Sequence, residues 1–111
     1  MSRQTVFIII PSNEYVAESQ KKQAKNIQQH YEKCGHTVIN PFELTEALEK
    51  SFFKIAGRDP NEEEYRREID NNIQFSTSVV LCTGWHTDAE CCQQLLSALK
   101  NGTDIKIWRN A

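Results

Sequence analysis

Hydrophobic residues along this chain fall into two kinds of segment: short runs, and longer stretches in which apolar positions recur every three or four residues. The runs cover residues 6–10, 36–40, 78–82 and 105–108. They are rich in isoleucine and valine, and proline or glycine lies near their ends, which is typical of strands. The unbroken apolar run at 6–10 suits a strand covered on both faces, as in a parallel sheet. The sequence therefore predicts four β-strands.

The stretches between these runs have the periodicity of amphipathic helices. They cover residues 15–34, 43–58 and 87–100, and a further helix is predicted to begin at Pro60. Strands and helices thus alternate, and a strand joined to the next through a helical crossover pairs with its neighbour in parallel. We expect an α/β domain, a three-layer sandwich of flavodoxin-like or Rossmann-like type with about four mostly parallel strands flanked by helices.

Capping signals mark the start of two predicted helices. Asp59 is the expected N-cap of the helix that begins at Pro60, with Glu62 bonding back to the cap. Thr87 and Glu90 have the spacing of a capping box at the start of the last helix. The sequence therefore predicts that Glu90 caps this helix, as an alternative to a role in catalysis or ligand binding.

Length and charge limit the partners of this chain. Its 111 residues match a single domain spanning 1–111, and a formal net charge of −2 offers no field that attracts nucleic acid or an anionic membrane. The longest apolar run is too short to span a bilayer, and the first residues lack the features of a signal peptide. We expect a cytoplasmic protein with no nucleic-acid or membrane partner, and with reduced thiols at Cys34, Cys82, Cys91 and Cys92.

Ligands of doubly wound sheets bind beyond the carboxyl ends of the strands, which selects the loops at 11–15, 40–43 and 83–88. The last of these opens the polar segment 84–94, Gly-Trp-His-Thr-Asp-Ala-Glu-Cys-Cys-Gln-Gln. Its spacing disfavours zinc, and Cys91 and Cys92 are expected to be buried, inert thiols. The four glycines of the chain offer no phosphate-binding loop, so we expect neither a metal nor a cofactor.

Two interpretations stay open for the polar residues near these loops. Glu90 either caps its helix or presents its carboxylate to a ligand. Arg67, beside Arg66, either belongs to a solvated face or holds an anionic group of a substrate. His86 is the histidine that the predicted loop places for acid or base chemistry.

Four segments of the sequence occur in a familiar order. They are a first strand ending at Pro11, Gly-His-Thr-Val-Ile-Asn-Pro at 35–41, Tyr-Arg-Arg-Glu-Ile-Asp at 65–70, and Val-Val-Leu-Cys-Thr-Gly-Trp at 79–85 before a helix. In this order they resemble the small proteins related to nucleoside 2-deoxyribosyltransferases, over nearly the whole chain. The resemblance implies a flavodoxin-like domain that cleaves or exchanges the N-glycosidic bond of a nucleoside or nucleotide.

The resemblance also implies a glutamate nucleophile on the helix after the third conserved strand. By spacing, that glutamate falls on Gln94, and an amide cannot act as a carboxylate nucleophile. Glu90, one turn earlier on the same helix face, is then the catalytic candidate. The residues that the resemblance implies for substrate binding are Pro11, Ser12, Tyr15, Arg67, Gly84, Trp85, Asp88 and Gln94.

The glutamine at position 94 leaves alternatives to an enzyme. One is a catalytically degenerate module that binds a nucleotide without cleaving it. Another is a self-associating module, a homodimer in which Trp108 and the C-terminal helix form the contact face. A nucleoside or nucleotide-like small molecule is the expected partner of both the enzyme and the binding module.

Overall fold

The computed structural model describes residues 3–12 and 17–109 and confirms the predicted α/β fold. Its sheet is formed by β1 (Thr5–Ile9), β2 (Thr37–Ile39), β3 (Ser78–Leu81) and β4 (Asp104–Ile107). All three strand pairs are parallel, and the order across the sheet is β2-β1-β3-β4. The helices of this part of the chain are α1 (Ala17–Lys33), α2 (Pro41–Ala56), α3 (Glu62–Phe75) and α4 (Ala89–Asn101), and a short 3-10 helix, Trp85–Thr87, precedes α4.

Two hydrophobic layers cover the two faces of the sheet, as in a flavodoxin-like three-layer sandwich. On one face, alternate residues of β1 and β3 pack against Ala24 and Ile27 of α1. On the other face, the intervening strand residues pack against Ile73 of α3 and against Cys91 and Ala98 of α4. Because successive side chains of a strand point to opposite faces, a strand buried on both faces needs the continuous apolar run that the sequence contains. Within residues 3–12 and 17–109, no helix has both the length and the apolarity required to cross a membrane.

The second helix starts earlier than the sequence pattern predicted, which corrects the predicted loop at 40–43. Asn40 is the N-cap of α2, and its side-chain oxygen accepts a hydrogen bond of 3.0 Å from the N–H of Phe42. Pro41 follows at the first helical position, where its missing N–H costs no helical hydrogen bond. The carboxyl end of β2 therefore leads directly into a helix N-terminus.

The N-cap of α3 is Asn61, two residues after the predicted Asp59. The Asn61 side chain accepts a hydrogen bond of 2.8 Å from the N–H of Glu64, and the Glu64 carboxylate accepts one of 2.9 Å from the N–H of Asn61. The Arg58 guanidinium donates two further bonds to that carboxylate, at 2.8 and 3.1 Å. This reciprocal box, strengthened by a bidentate ion pair, outweighs the signal from Asp59 and Pro60.

The cap of α3 predicts a stability that depends on pH. Hydrogen bonds from Arg58 and then from the Asn61 N–H lower the pKa of Glu64 from 4.5 to about 2. Because the folded pKa is depressed, this contribution is present above about pH 4.5 and is lost as the pH falls towards 2. We expect Glu64→Gln to flatten the fall in the free energy of unfolding between those pH values, as measured by urea denaturation.

The matched control for Glu64 is Glu63→Gln, which removes a carboxylate from the same helical turn and leaves Arg58 and Asn61 in place. This control is expected to keep the steep acid profile of the unsubstituted protein. Equal flattening by both variants would show that total charge, rather than the cap, causes the pH dependence.

Candidate functional site

A cavity lies at the carboxyl end of the sheet, where the loops after β1 and β3 separate. After β1 the chain continues to β2, on one side of β1. After β3 it continues to β4, on the other side of the sheet. The two connections therefore lead in opposite directions, and a crevice lies between the ends of β1 and β3. The cavity has a volume of about 150 Å³. Its walls are formed by Ile10, Ser12, Pro41, Phe42, Thr45, Ile69, Asp88, Glu90 and Gln94.

A wider cleft of about 690 Å³ adjoins this cavity between α1 and α2. The cavity and the cleft share Ser12, Phe42 and Thr45 in their walls, so they lie side by side. Lys25 of α1 reaches Glu43 of α2 across the cleft, with 3.1 Å between nitrogen and oxygen. The volume of the cleft lies in the range of small-molecule sites in proteins.

The loop after β3 brings Asp88 into the cavity as the N-cap of α4. One of its carboxylate oxygens accepts a hydrogen bond of 2.9 Å from the N–H of Cys91. The predicted capping box of Thr87 and Glu90 was therefore wrong. Thr87 belongs to the 3-10 turn and donates its hydroxyl to the Gly84 carbonyl at 2.9 Å, so α4 begins two residues later than predicted.

The cap formed by Asp88 can be tested by two substitutions, one that removes the hydrogen-bond acceptor and one that keeps it. Asp88→Ala removes the oxygen that accepts from the Cys91 N–H, and we expect a loss of about 1 kcal/mol in the free energy of unfolding. Asp88→Asn keeps an acceptor at the same place and is expected to cost less than about 0.5 kcal/mol. Urea denaturation distinguishes the two, and an equal loss in both would contradict the assigned hydrogen bond.

Glu90 lies free of the helix cap and contributes to the wall of the cavity. Its carboxylate is 3.7 Å from the guanidinium of Arg66 on α3, and its side chain is 57% exposed. Gln94, one turn further along α4, lines the same cavity. The structure thus brings Asp88, Glu90 and Gln94 together with Ser12, which follows β1.

The remaining residues of the predicted site lie outside the walls of this cavity or outside the described residues. Gly84 has a φ of 89°, which favours glycine, and a side chain there would meet Pro11 at 3.5 Å, so these two residues pack together beneath the loop. Trp85 packs on the core beside α4, and His86 contacts the edge of its ring. Tyr15 lies outside the described residues.

Arg66, rather than Arg67, is the arginine that pairs with a residue of the cavity wall. Arg67 is exposed and pairs with Glu63 of its own helix at 3.4 Å, whereas Arg66 reaches across to Glu90. A signal for this difference was present in the sequence. Arg66 precedes the apolar positions Ile69 and Ile73 by three and seven residues, which places it near their face of the helix.

Three further residues of the cavity wall were not among the predicted site residues. Phe42 and Thr45 come from α2, and Ile69 comes from α3. Residues 40–43 were predicted as a loop, whereas Phe42 lies in the first turn of α2, which begins after the Asn40 cap.

The cysteines of the segment 84–94 divide into one buried and one exposed thiol. Cys91 is buried, as predicted, and burial, followed by the nearby Asp88 carboxylate, raises its pKa. Cys92 is exposed, which corrects the prediction of a buried thiol, because one step along a helix turns a side chain by about 100°. Burial likewise raises the pKa of Cys82 to about 12. Thiols with raised pKa values are poor nucleophiles at neutral pH.

The described residues contain no group of three His, Cys, Asp or Glu side chains that could hold a metal ion. The cavity wall offers two carboxylates, an amide and hydroxyl groups beside the apolar Phe42 and Ile69. Such a wall offers hydrogen bonds to the hydroxyls of a sugar and an apolar surface to a planar ring.

A scan against protein-family models and a search of curated proteins found no match to this chain.

Proposed function

We propose that this chain is a nucleoside 2-deoxyribosyltransferase-like protein that binds a nucleoside or nucleotide in the cavity and its adjoining cleft, with Glu90 as nucleophile. The observation that carries the proposal is the convergence of Asp88, Glu90 and Gln94 with Ser12 at the point where the loops after β1 and β3 diverge. Ligands of doubly wound folds bind at this point.

The side chains of the cavity suit the two parts of a nucleoside. Carboxylate and amide groups at positions 88 and 94 would accept and donate hydrogen bonds to sugar hydroxyls. Phe42 and Ile69 would contact the face of the sugar or base. The base and any phosphate would extend into the cleft between α1 and α2, since 150 Å³ is too small for a whole nucleotide.

The proposed reaction is a substitution at the anomeric carbon. The Glu90 carboxylate would form a bond to that carbon as the bond to the base nitrogen breaks, and the base, which keeps the electron pair of that bond, would take a proton from water. Water would then cleave the ester between Glu90 and the sugar. If a second base attacked the same carbon in place of water, the reaction would be a transfer. Arg66, at 3.7 Å, restrains the Glu90 carboxylate from one side.

The proposal is tested by release of free base from a panel of nucleosides, deoxynucleosides and their 5′-monophosphates, followed by chromatography. Thermal unfolding of the unsubstituted protein in the same ligands reports binding separately. A ligand that raises the melting temperature and is converted supports the whole proposal. A flat thermal response across the panel, with no base released, would reject it.

The second candidate function is binding without cleavage. It is favoured by the amide at position 94 and by the exposure and ion pair of the carboxylate at position 90. Gln94 lines the cavity with an amide, and Glu90 is more than half exposed and paired with Arg66. A binding module would gain stability as RT ln(1 + [L]/Kd) with added ligand and release no base.

The substitution Gln94→Glu separates the two candidates further. It places a carboxylate where the family resemblance calls for the nucleophile. If the chain is a degenerate binding module, we expect Gln94→Glu to release base from the ligand that the unsubstituted protein only binds. The control is Gln93→Glu, which adds the same charge to an exposed neighbouring position of α4. Base release by both variants would indicate an effect of charge alone.

A further inference from the structure

The outer edge of β4 carries backbone groups without a strand partner in the part of the chain that the structure describes. In the order β2-β1-β3-β4, none of the described strands lies on the outer side of β4, the place that the fifth strand takes in a five-stranded flavodoxin-like sheet. Asp104 and Trp108 donate their N–H groups to Thr77 and Leu81 on the β3 side, at 3.2 and 2.9 Å. By the alternation of a strand, the N–H and C=O groups of Ile105 and Ile107 point away from β3.

Two apolar side chains of this region are exposed. Ile107 is 59% exposed, and Leu99 of α4, the helix that covers this face of the sheet, is 56% exposed. A row of free backbone groups beside apolar side chains pairs readily with another strand, and natural sheets limit such pairing with proline, bulges or charges. The register with β3 is regular over all four residues of β4, without a bulge, and none of the four is proline. The two charges that β4 carries, at Asp104 and Lys106, are opposite in sign.

The two charges of β4 are placed so that two antiparallel copies of the strand bring opposite charges together. Asp104 and Lys106 flank Ile105 and share one face of the sheet, since they are two residues apart. Lys106 lies on the α1 face, with its ammonium group 5.7 Å from the centre of the Tyr31 ring and 3.3 Å from the Gln4 side-chain oxygen. β4 thus has an acidic residue on one side of Ile105 and a basic residue on the other.

We propose that β4 pairs with β4 of a second copy of this chain, antiparallel across a two-fold axis at Ile105. In this register, Ile105 faces its own counterpart, and the Asp104 of each copy lies opposite the Lys106 of the other, whose ammonium group turns from Gln4 towards that carboxylate. The two Ile105 residues exchange both of their outward backbone hydrogen bonds, and the N–H of Ile107 donates to the carbonyl of Thr103 in the other copy, since the Thr103 N–H is already donated to Ala98 at 3.0 Å. The pairing joins the two four-stranded sheets into one and covers part of the exposed Ile107 side chain. A two-fold axis makes both charge pairs at once, because each contact in such an interface occurs twice.

Charge selects this register over its neighbours. An axis at Lys106 would set the two Lys106 side chains opposite each other, and like charges in facing positions destabilise a strand pair. An axis at Ile107 would set Lys106 opposite Trp108 and leave both charges without an opposite charge. The proposal stands apart from the proposed function, since the cavity lies at the carboxyl end of the sheet and β4 forms its edge.

The test is a charge exchange followed by sedimentation velocity over a range of concentrations. Asp104→Lys and Lys106→Glu each place like charges at both pairs, and we expect each variant to weaken the dimer by about tenfold or more. An equimolar mixture of the two variants is expected to recover the dimer, because every pair between unlike copies is then opposite in sign. The double variant, Asp104→Lys with Lys106→Glu, is expected to recover it as well.

Thermal unfolding of each variant shows that the fold is intact, and Asp104→Lys is the more informative single variant because Asp104 is exposed. A monomer at every soluble concentration of the unsubstituted protein would overturn the proposal. A dimer that neither single variant weakens, or one that the mixture fails to restore, would overturn the assignment of the interface to β4.

Discussion

Glu90→Gln is expected to lower the proposed release of base by about 10³-fold or more, because removal of the proposed attacking carboxylate leaves only binding and orientation to assist the reaction. Glutamine keeps the size of the side chain and its contact with the cavity wall, so the affinity for the ligand is expected to change little. The measurement is single-turnover release of base at saturating ligand, with affinity followed independently by thermal unfolding.

The matched control for Glu90 is Glu63→Gln on α3. Glu63 carries the same charge and pairs with Arg67, as Glu90 pairs with Arg66, but it lies away from the cavity. Unaltered turnover in Glu90→Gln would exclude Glu90 as the nucleophile. Full loss in both variants would point to the charge of the α3 and α4 surface rather than to an attacking group.

Phe7→Ala is expected to reduce the free energy of unfolding by about 3–5 kcal/mol, the cost of a large cavity in a close-packed core. Phe7 has 0% of its surface exposed and lies on β1, between β2 and β3, against the layer formed by α3 and α4. A domain of this size has a total stability of about 5–15 kcal/mol, so the variant is expected to unfold at much lower urea concentration.

Phe75→Ala provides the control, because it makes the same chemical change at a side chain that is 84% exposed. The expected change in the free energy of unfolding is less than about 0.5 kcal/mol. Similar losses in the two variants would contradict the assignment of Phe7 to the core.

The helix starts show how far local patterns can predict structure. Both Asp59 and Asn61 have side chains that cap helices, and the local sequence around Asp59 is the stronger pattern. The bidentate bond from Arg58 to Glu64 favours Asn61, and it forms only once the chain turns back on itself after α2. The same limit applies to Thr87, whose hydroxyl is taken by the Gly84 carbonyl.

The candidate site was predictable in part. Asp88 was expected at the cavity because it lies in the loop after a buried strand, whereas Glu90 and Gln94 were implied by the family resemblance, and the structure brings the three together with Ser12. Arg67 was expected to bind the substrate, although helix phase favours Arg66. Which of two neighbouring side chains reaches another element depends on the position of that element, and α4 lies on the side of Arg66.

The sequence by itself determined the α/β class, four strands and the parallel pairing, because continuous apolar runs require burial on both faces and helical crossovers require parallel neighbours. The order β2-β1-β3-β4 was decided by the tertiary structure, which also holds the Asn40 cap through a hydrogen bond of 3.2 Å to the buried Gln28 of α1. In the segment 84–94, the residue types predicted a polar helix start. Which of its side chains line the cavity depends on the surrounding elements, because several neighbouring polar side chains are able to cap a helix and only their neighbours in space distinguish them.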